Sequence, residues 1–195
     1  MRSISHLVAS ACAFAFAATV ASSAGAADST HGALYIQGSP IGVAGITYQT
    51  SDYCRQGPTT VACGGTFWSN AYRLDFELGY HFSKRYDGFV LAGRQVFYFN
   101  TDYADGHVEG ATQLRLGYDI PIPIKQFELN IDPYGVVGVG YGFSNQNAAF
   151  TFAGGVEGKF FIVKGFYAFA RPIELGAWLP GGMVWNIGAG VGYAF

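Results

Sequence analysis

This chain is short of charge. Asp, Glu, Lys and Arg make up 12% of its 195 residues, against about 25% in an ordinary soluble protein. A net charge of −2 leaves no basic surface on which a phosphate backbone would dock, which excludes nucleic-acid partners. Cysteine numbers only 3, too few for a disulfide framework. Cys54 and Cys63 have no nearby His and no tight C-x-x-C spacing, which makes the metal reading of the pair weak. Asp102, Asp105 and His107 have no specific ligand spacing and read as solvated loop polarity; no metal is expected. Past the N-terminal region no apolar run reaches the ~18 residues of a membrane helix. The glycine-rich stretches are followed by neither a helix nor the Lys-Ser/Thr of a phosphate loop, so no nucleotide site, and no cofactor of any kind, is expected.

What the chain has instead is apolar surface and glycine. It is 50% hydrophobic and 17% aromatic, with 17 Phe, 13 Tyr and 28 Gly. The N-terminus reads as an export signal. Arg2 supplies a positive start, residues 7–21 an apolar run, and Ala24-Gly25-Ala26 an A-x-A cleavage site. Residues 1–26 are therefore read as a removed signal peptide and 27–195 as one domain. Cys12 does not make this a lipoprotein signal: Ala9 stands where Leu is usual, and cleavage there would cut into the apolar core. Export leads to an oxidising compartment, where a Cys54–Cys63 disulfide is expected.

The dominant pattern has period two. At the C-terminus Met183, Trp185, Ile187, Ala189, Val191, Tyr193 and Phe195 take every second position, with Gly188, Gly190 and Gly192 between them. Such alternation marks a strand with one apolar face. Residues 66–82 set Tyr72, Leu74, Phe76, Leu78 and Tyr80 against Arg73, Asp75, Glu77 and His81. Residues 108–122 set Leu114, Leu116 and Tyr118 against Glu109, Arg115 and Asp119. Residues 127–143 oppose Ile131, Val137 and Val139 to Glu128, Asp132 and Tyr134, and 149–162 oppose Phe152, Val156 and Phe160 to Thr151, Glu157 and Lys159. In 88–100 Arg94 is polar-facing, but Gln95 falls on the apolar face, which implies a bulge. In 166–179 the parity of Arg171 and Glu174 requires a bulge near Pro172. The first strand, 33–49, carries Pro40 and several glycines, and its faces are not legible.

Eight strands result, joined by a long loop at 50–65, turns at 83–87, 121–125 and 164–165, loops at 101–107 and 144–148, and a closing hairpin at 180–182. An even strand number, long outward apolar stripes and aromatics at both stripe ends predict an eight-stranded antiparallel transmembrane β-barrel. Closure is a physical requirement, because an open sheet edge in lipid leaves unpaired backbone groups at several kcal/mol each. Eight strands leave a lumen that side chains fill. The inward charges Arg73, Asp75, Glu77, Arg94, Arg115, Asp132, Glu157 and Lys159, with Glu109, Asp119, Glu128, Arg171 and Glu174, are then expected to pair as a polar plug. A small pore is the rival reading of the same groups.

The architecture and the terminal Val191-Gly192-Tyr193-Ala194-Phe195 resemble the small eight-stranded outer-membrane barrels of Gram-negative bacteria: the OmpA membrane domain, OmpX-like proteins and opacity-like surface proteins. The resemblance implies an outer-membrane address and a closing strand in which Tyr193 and Phe195 belong to the signal read by the barrel-assembly machinery. Outer-membrane lipids and lipopolysaccharide are its implied surroundings. It implies a structural, envelope-integrity or surface-interaction role, with residues 50–65 the segment best placed to meet a surface ligand. Two small barrel families act on lipid A, and His81-Phe82-Ser83 with Glu77 matches the His-x-Ser pair and carboxylate of one of them. A His beside a Ser, oriented by a carboxylate, is acyl-transfer chemistry. The tripeptide runs into the Lys84-Arg85 turn, however, at the opposite rim from the one the resemblance requires.

Overall fold

The computed structural model describes residues 33–50, 53–56, 59–62, 65–83, 88–100, 108–124, 127–142, 148–163, 165–179 and 182–195. The strands are β1 (Ala33–Thr50), β2 (Tyr53–Gln56), β3 (Thr59–Ala62), β4 (Gly65–His81), β5 (Gly88–Asn100), β6 (Val108–Ile124), β7 (Phe127–Tyr141), β8 (Ala149–Val163), β9 (Phe166–Leu179) and β10 (Gly182–Ala194). Eight of them form a closed antiparallel barrel in the order β1-β10-β9-β8-β7-β6-β5-β4, and β2 and β3 make a separate two-stranded hairpin. Closure runs along the whole of β1, from Tyr35 opposite Ala194 to Tyr48 opposite Gly182. The rim where β1 begins and β10 ends is called lower here, and the opposite rim upper.

The barrel is inside-out relative to a soluble one. Leu114, Leu116, Val139, Ile162, Ile173, Leu175 and Ile187 project outward and are exposed, whereas Arg73, Arg94, Arg115, Lys159 and Arg171 are at most 1% exposed. Phe89, Tyr118, Phe160 and Tyr193 ring the lower half, and Tyr72, Phe99 and Phe150 the upper. Glycine is used where an aromatic of the neighbouring strand lies across it. Gly45 sits beneath Trp185, Gly79 beneath Tyr35, Gly110 beneath Tyr141, Gly155 against Tyr134, Gly182 beneath Trp178 and Gly192 beneath Tyr167. In each case the two residues are direct register partners. An aromatic placed over a strand glycine covers backbone that the missing side chain would leave bare, while the glycine gives the sheet room to coil. At Gly165 the tight lower turn into β9 needs a φ of 82°, which glycine adopts without strain.

Several expectations are corrected. The segment 50–65 is not simply a loop, since β2 pairs with β3 within it, Cys54 lying opposite Val61. The turn expected at 121–125 is shorter: β6 continues to Ile124, with Pro121 opposite Asn130 and Pro123 opposite Glu128. On its other side β5 begins only at Gly88, opposite Asp119. Among the described residues the two prolines therefore have β7 as their one neighbouring strand, a setting in which a residue without an N–H is tolerated. No bulge occurs in β5, whose register is continuous with both β4 and β6; Gln95 simply faces outward. In β1 the register shifts around Pro40. Tyr35, Gln37 and Ser39 point inward before it and Gly42, Ala44 and Ile46 after it, a switch of parity that hid the faces of this strand. In β9 a bulge lies at Arg171–Pro172, seen from both neighbours. The leader 1–26, Asp102, Asp105, His107 and Cys63 lie outside the described residues. Of Cys54 only the backbone is described.

Candidate functional site

The lumen is filled in layers. Near the upper rim Ala44, Ile46, Ala71, Val96, Tyr98, Ala149 and Trp178 form an apolar cap. Lower down, on the β1, β5, β9 and β10 side, Tyr35, Val90, Ala92, Tyr167, Phe169 and Ala194 form a second apolar cluster. Between and beside them runs one connected network of buried ionic groups. It begins at the lower rim, where His81 Nε2 is 2.6 Å from Asp119 Oδ2. Lys159 Nζ reaches Asp119 at 2.8 Å and Asp132 at 3.0 Å. Arg115 follows, 2.5 Å from Asp132, 2.5 Å from Glu77 and 3.4 Å from Glu157. Arg171 bonds Glu157 at 2.6 Å and Asp75 at 2.7 Å. Arg73 joins Asp75 at 3.1 Å to Glu174 at 3.0 Å, and Arg94 meets Glu174 at 2.7 Å.

Alternation explains why these groups meet. Each barrel strand between β4 and β9 contributes at least one inward charge, and registered antiparallel pairing brings those at similar height together. Glu77 is the register partner of Arg94, and Asp132 of Glu157. The like pair Asp132–Glu157 is tolerable because Arg115 and Lys159 bridge both carboxylates. Neutral groups satisfy further lone pairs. Tyr35 donates its hydroxyl to Glu77, Tyr134 to Glu174 at 2.6 Å, and Asn186 Nδ2 donates to Glu174 at 2.7 Å. Tyr167 donates to Gln37 at 2.8 Å, and Gln37 in turn to Glu157 at 3.2 Å. The Tyr134 ring also lies 4.3 Å from the Arg115 guanidinium, a cation–π contact in a desolvated setting.

Five permanent cations, Arg73, Arg94, Arg115, Lys159 and Arg171, thus face six carboxylates, Asp75, Glu77, Asp119, Asp132, Glu157 and Glu174, with His81 at the lower end. Charges this buried are stable only when paired and hydrogen-bonded. Glu109 is also buried, near the upper end of β6. The side chain of Glu128 is outside the described set.

The network absorbs two of the three residues whose spacing suggested acyl transfer. Glu77 is held by Arg115 and Tyr35, and His81 turns its Nε2 to Asp119. Ser83 follows the end of β4 at the lower rim. Sequence reasoning missed Tyr35, Gln37 and Asn186 as partners. The first two were hidden by the parity switch at Pro40, and Asn186 stood in a strand read mainly for its glycines. Among the described residues no group of His, Cys, Asp and Glu is placed to hold a metal. A cavity of about 10 Å³ lies under the apolar cap, lined by Tyr98, Gln113, Thr151 and Trp178 among others. It is about the minimum that holds a single water.

An eight-stranded closed antiparallel barrel with an apolar exterior and an ionic interior is the fold of the small outer-membrane barrels. Neisserial surface protein A (NspA), of known crystal structure, superposes with a TM-score of 0.56 at 11% identity, over 83% of this chain and 97% of that one. No family model matches the chain and no curated protein is recognisably related to it.

Proposed function

We propose that this chain is exported and inserted into the outer membrane, where it acts as a sealed barrel: an envelope or surface protein rather than a channel or an enzyme. The single observation that carries the reading is the ionic network. It connects every buried cation of the lumen, from Lys159 near the lower rim to Arg94 beneath the apolar cap. A path for ions would have to break several of these pairs at once, each break leaving a buried charge uncompensated. Both ends of the barrel sequence lie on the lower rim, which is the periplasmic side in this reading. The closing strand with Tyr193 and Phe195 is what the assembly machinery grips, and lipid and lipopolysaccharide cover the apolar belt.

Biological contact then falls to the upper connections. The 50–65 segment is the foremost candidate for a surface ligand, and within it Tyr53–Gln56 pair with Thr59–Ala62 as a two-stranded ladder. Planar-bilayer recording on the purified barrel tests the sealed lumen. The expected trace shows no steady conductance, and large, steady openings from the unmodified protein overturn the reading. Lipid A mass spectra from cells with and without the protein test the absence of catalysis. A modification that disappears in His81→Ala or Ser83→Ala would reinstate an acyl-transfer role.

A further inference from the structure

Gln113, Gly138, Thr151 and Trp178 stand side by side on β6, β7, β8 and β9, each the register partner of the next. Gly138 contributes no side chain, so Gln113 and Thr151 meet across it: Gln113 Nε2 donates to Thr151 Oγ1 at 3.3 Å. Only glycine fits between them, since a Cβ there would lie 2.1 Å from the Thr112 carbonyl oxygen and 2.7 Å from Gln113 Cα. The other end of the Gln113 amide is not met. Its Oε1 is buried and has no hydrogen-bond partner among the described residues. It belongs to a side chain that is 7% exposed and that lines the cavity of about 10 Å³ under the apolar cap. A buried acceptor without a donor is costly. Beside a cavity, it marks a place where a donor binds.

The walls decide which donor fits. Tyr98, Thr151 and Glu174 also line the cavity and carry side-chain oxygens, and all three are buried. The Glu174 carboxylate is already engaged: Arg73, Arg94, Tyr134 and Asn186 all donate to it. Its charge is met, so the cavity calls for no cation, and a hard cation takes about six to eight oxygen ligands. Thr151 accepts from Gln113 and still has its own hydroxyl proton to give, and the Tyr98 phenol oxygen both donates and accepts. The occupant is therefore small and neutral, and it donates to Gln113 while accepting from Thr151. Turning the Gln113 amide over would trade a spare acceptor for a spare donor, and water answers either. The size agrees, since about 10–15 Å³ is the least that holds one water.

We propose that this cavity is a binding site for one buried water molecule, which bridges Gln113 Oε1 to Thr151 Oγ1 beneath Trp178. Glu174 stands four residues below Trp178 on the same face of β9. The water site therefore adjoins the upper end of the ionic network, and the polar filling of the lumen continues from His81 up to the apolar cap. The cap is then the dry layer of the seal. The inference concerns the lumen alone and stands apart from the membrane reading. The test is a crystal structure of the purified barrel at a resolution that shows ordered waters, repeated for Gln113→Met, whose side chain is apolar and of similar length. The wild type should show one density peak about 2.6–3.2 Å from both Gln113 and Thr151, and Gln113→Met should lose it. A cavity without density overturns the proposal. So does a peak about 2.4 Å from the oxygens, the spacing of a cation, and so does a peak that survives in Gln113→Met. Urea unfolding in detergent micelles gives a second reading in solution. If water satisfies Gln113, the Gln113→Met midpoint should stay level or fall. A clearly higher midpoint would mean that an unsatisfied oxygen had been removed, and would overturn the water site.

Discussion

Arg171 and Glu174 are three residues apart on β9, and both point into the lumen. Strict alternation forbids this, since residues three apart face opposite sides of a strand. The register shows how it is achieved: Ala170 faces Gly158 and Ile173 faces Val156, so β9 spends one residue more than β8 over the same span. Pro172 and Ile173 both turn outward, and the extra residue allows Arg171 to reach Asp75 and Glu157 while Glu174 holds Arg73 and Arg94. Bulges of this kind re-aim side chains and are found near functional constellations.

The bulge makes an unusual deletion prediction. Removing Pro172 leaves Arg171, Ile173 and Glu174 in simple in-out-in order, with every side chain on its present face. The variant should fold and keep its heat-modifiable migration. Removing Ala170 should not be tolerated, because it moves Phe169 or Arg171 to the lipid side. Comparable folded yields for the two deletions would contradict the registers of β9 with β8 and β10.

How much of this was readable in advance depended on how locally each feature is encoded. Period-two stripes in β4, β6, β7, β8 and β10 are local, and they identified strands, faces and the inward charges. The pairing of those charges is not local: Arg73 and Glu174 are separated by 101 residues, and Arg115 and Glu77 by 38. Alternation puts both in the lumen, but only register and shear decide which heights coincide. Three of the failures share one origin, a residue that breaks the period. Pro40 switched the parity of β1, Pro121 and Pro123 imitated a turn while pairing with β7, and Gln95 imitated a bulge. The β2–β3 hairpin was overlooked because each strand is only four residues long, too short for alternation to stand out.

Arg115 is the hub of the network, touching Glu77, Asp132 and Glu157. Arg115→Ala should leave these carboxylates short of a cation in a low-dielectric lumen, which typically costs about 3–5 kcal/mol. Urea unfolding of the barrel in detergent micelles is the measurement. A loss under about 1 kcal/mol, the range of a surface pair, would show that the lumen is wetter and less tightly paired than the structure indicates.

The glycine–aromatic pairs distinguish two glycines that look alike in sequence. Gly79 lies beneath the Tyr35 ring, whereas nothing stands within 4 Å of a Cβ at Gly93. Gly79→Ala should overpack this contact and cost about 1–3 kcal/mol, with part recovered by Tyr35→Ala in the same chain. Gly93→Ala should change the stability of the isolated barrel very little. A double variant no better than Gly79→Ala alone would show that the cost comes from the backbone rather than from the ring.

Face assignment is tested by charge. Leu116 is 55% exposed on the outer face, while its neighbour Arg115 is fully buried. Leu116→Arg puts a cation on the lipid side near mid-belt, which costs about 2–4 kcal/mol in barrels of this kind and less toward either interface. The same substitution at Val108, close to the upper end of β6, should cost much less. Equal effects at the two positions in a lipid-bilayer unfolding assay would refute the belt.

Phe195 extends the seam that closes the barrel. Its backbone N–H donates to the Leu34 carbonyl at 2.8 Å, adding a rung to the β1–β10 seam beyond the paired strand, and its exposed ring packs edge-on against Tyr193, the centroids 5.1 Å apart. That rung ties together the first and last barrel strands, which meet only when the sheet closes. Removing Phe195 should therefore slow closure more than it loosens the closed barrel, because twelve other register pairs, Tyr35–Ala194 to Tyr48–Gly182, remain along the seam. Assembly in cells, read as the folded fraction on unheated gels, should fall strongly. The unfolding midpoint of the fraction that does assemble should shift only slightly. A normal assembly yield for the truncated chain would remove the terminal aromatic from the assembly signal. A large loss of stability in the assembled fraction would make it a structural clasp instead.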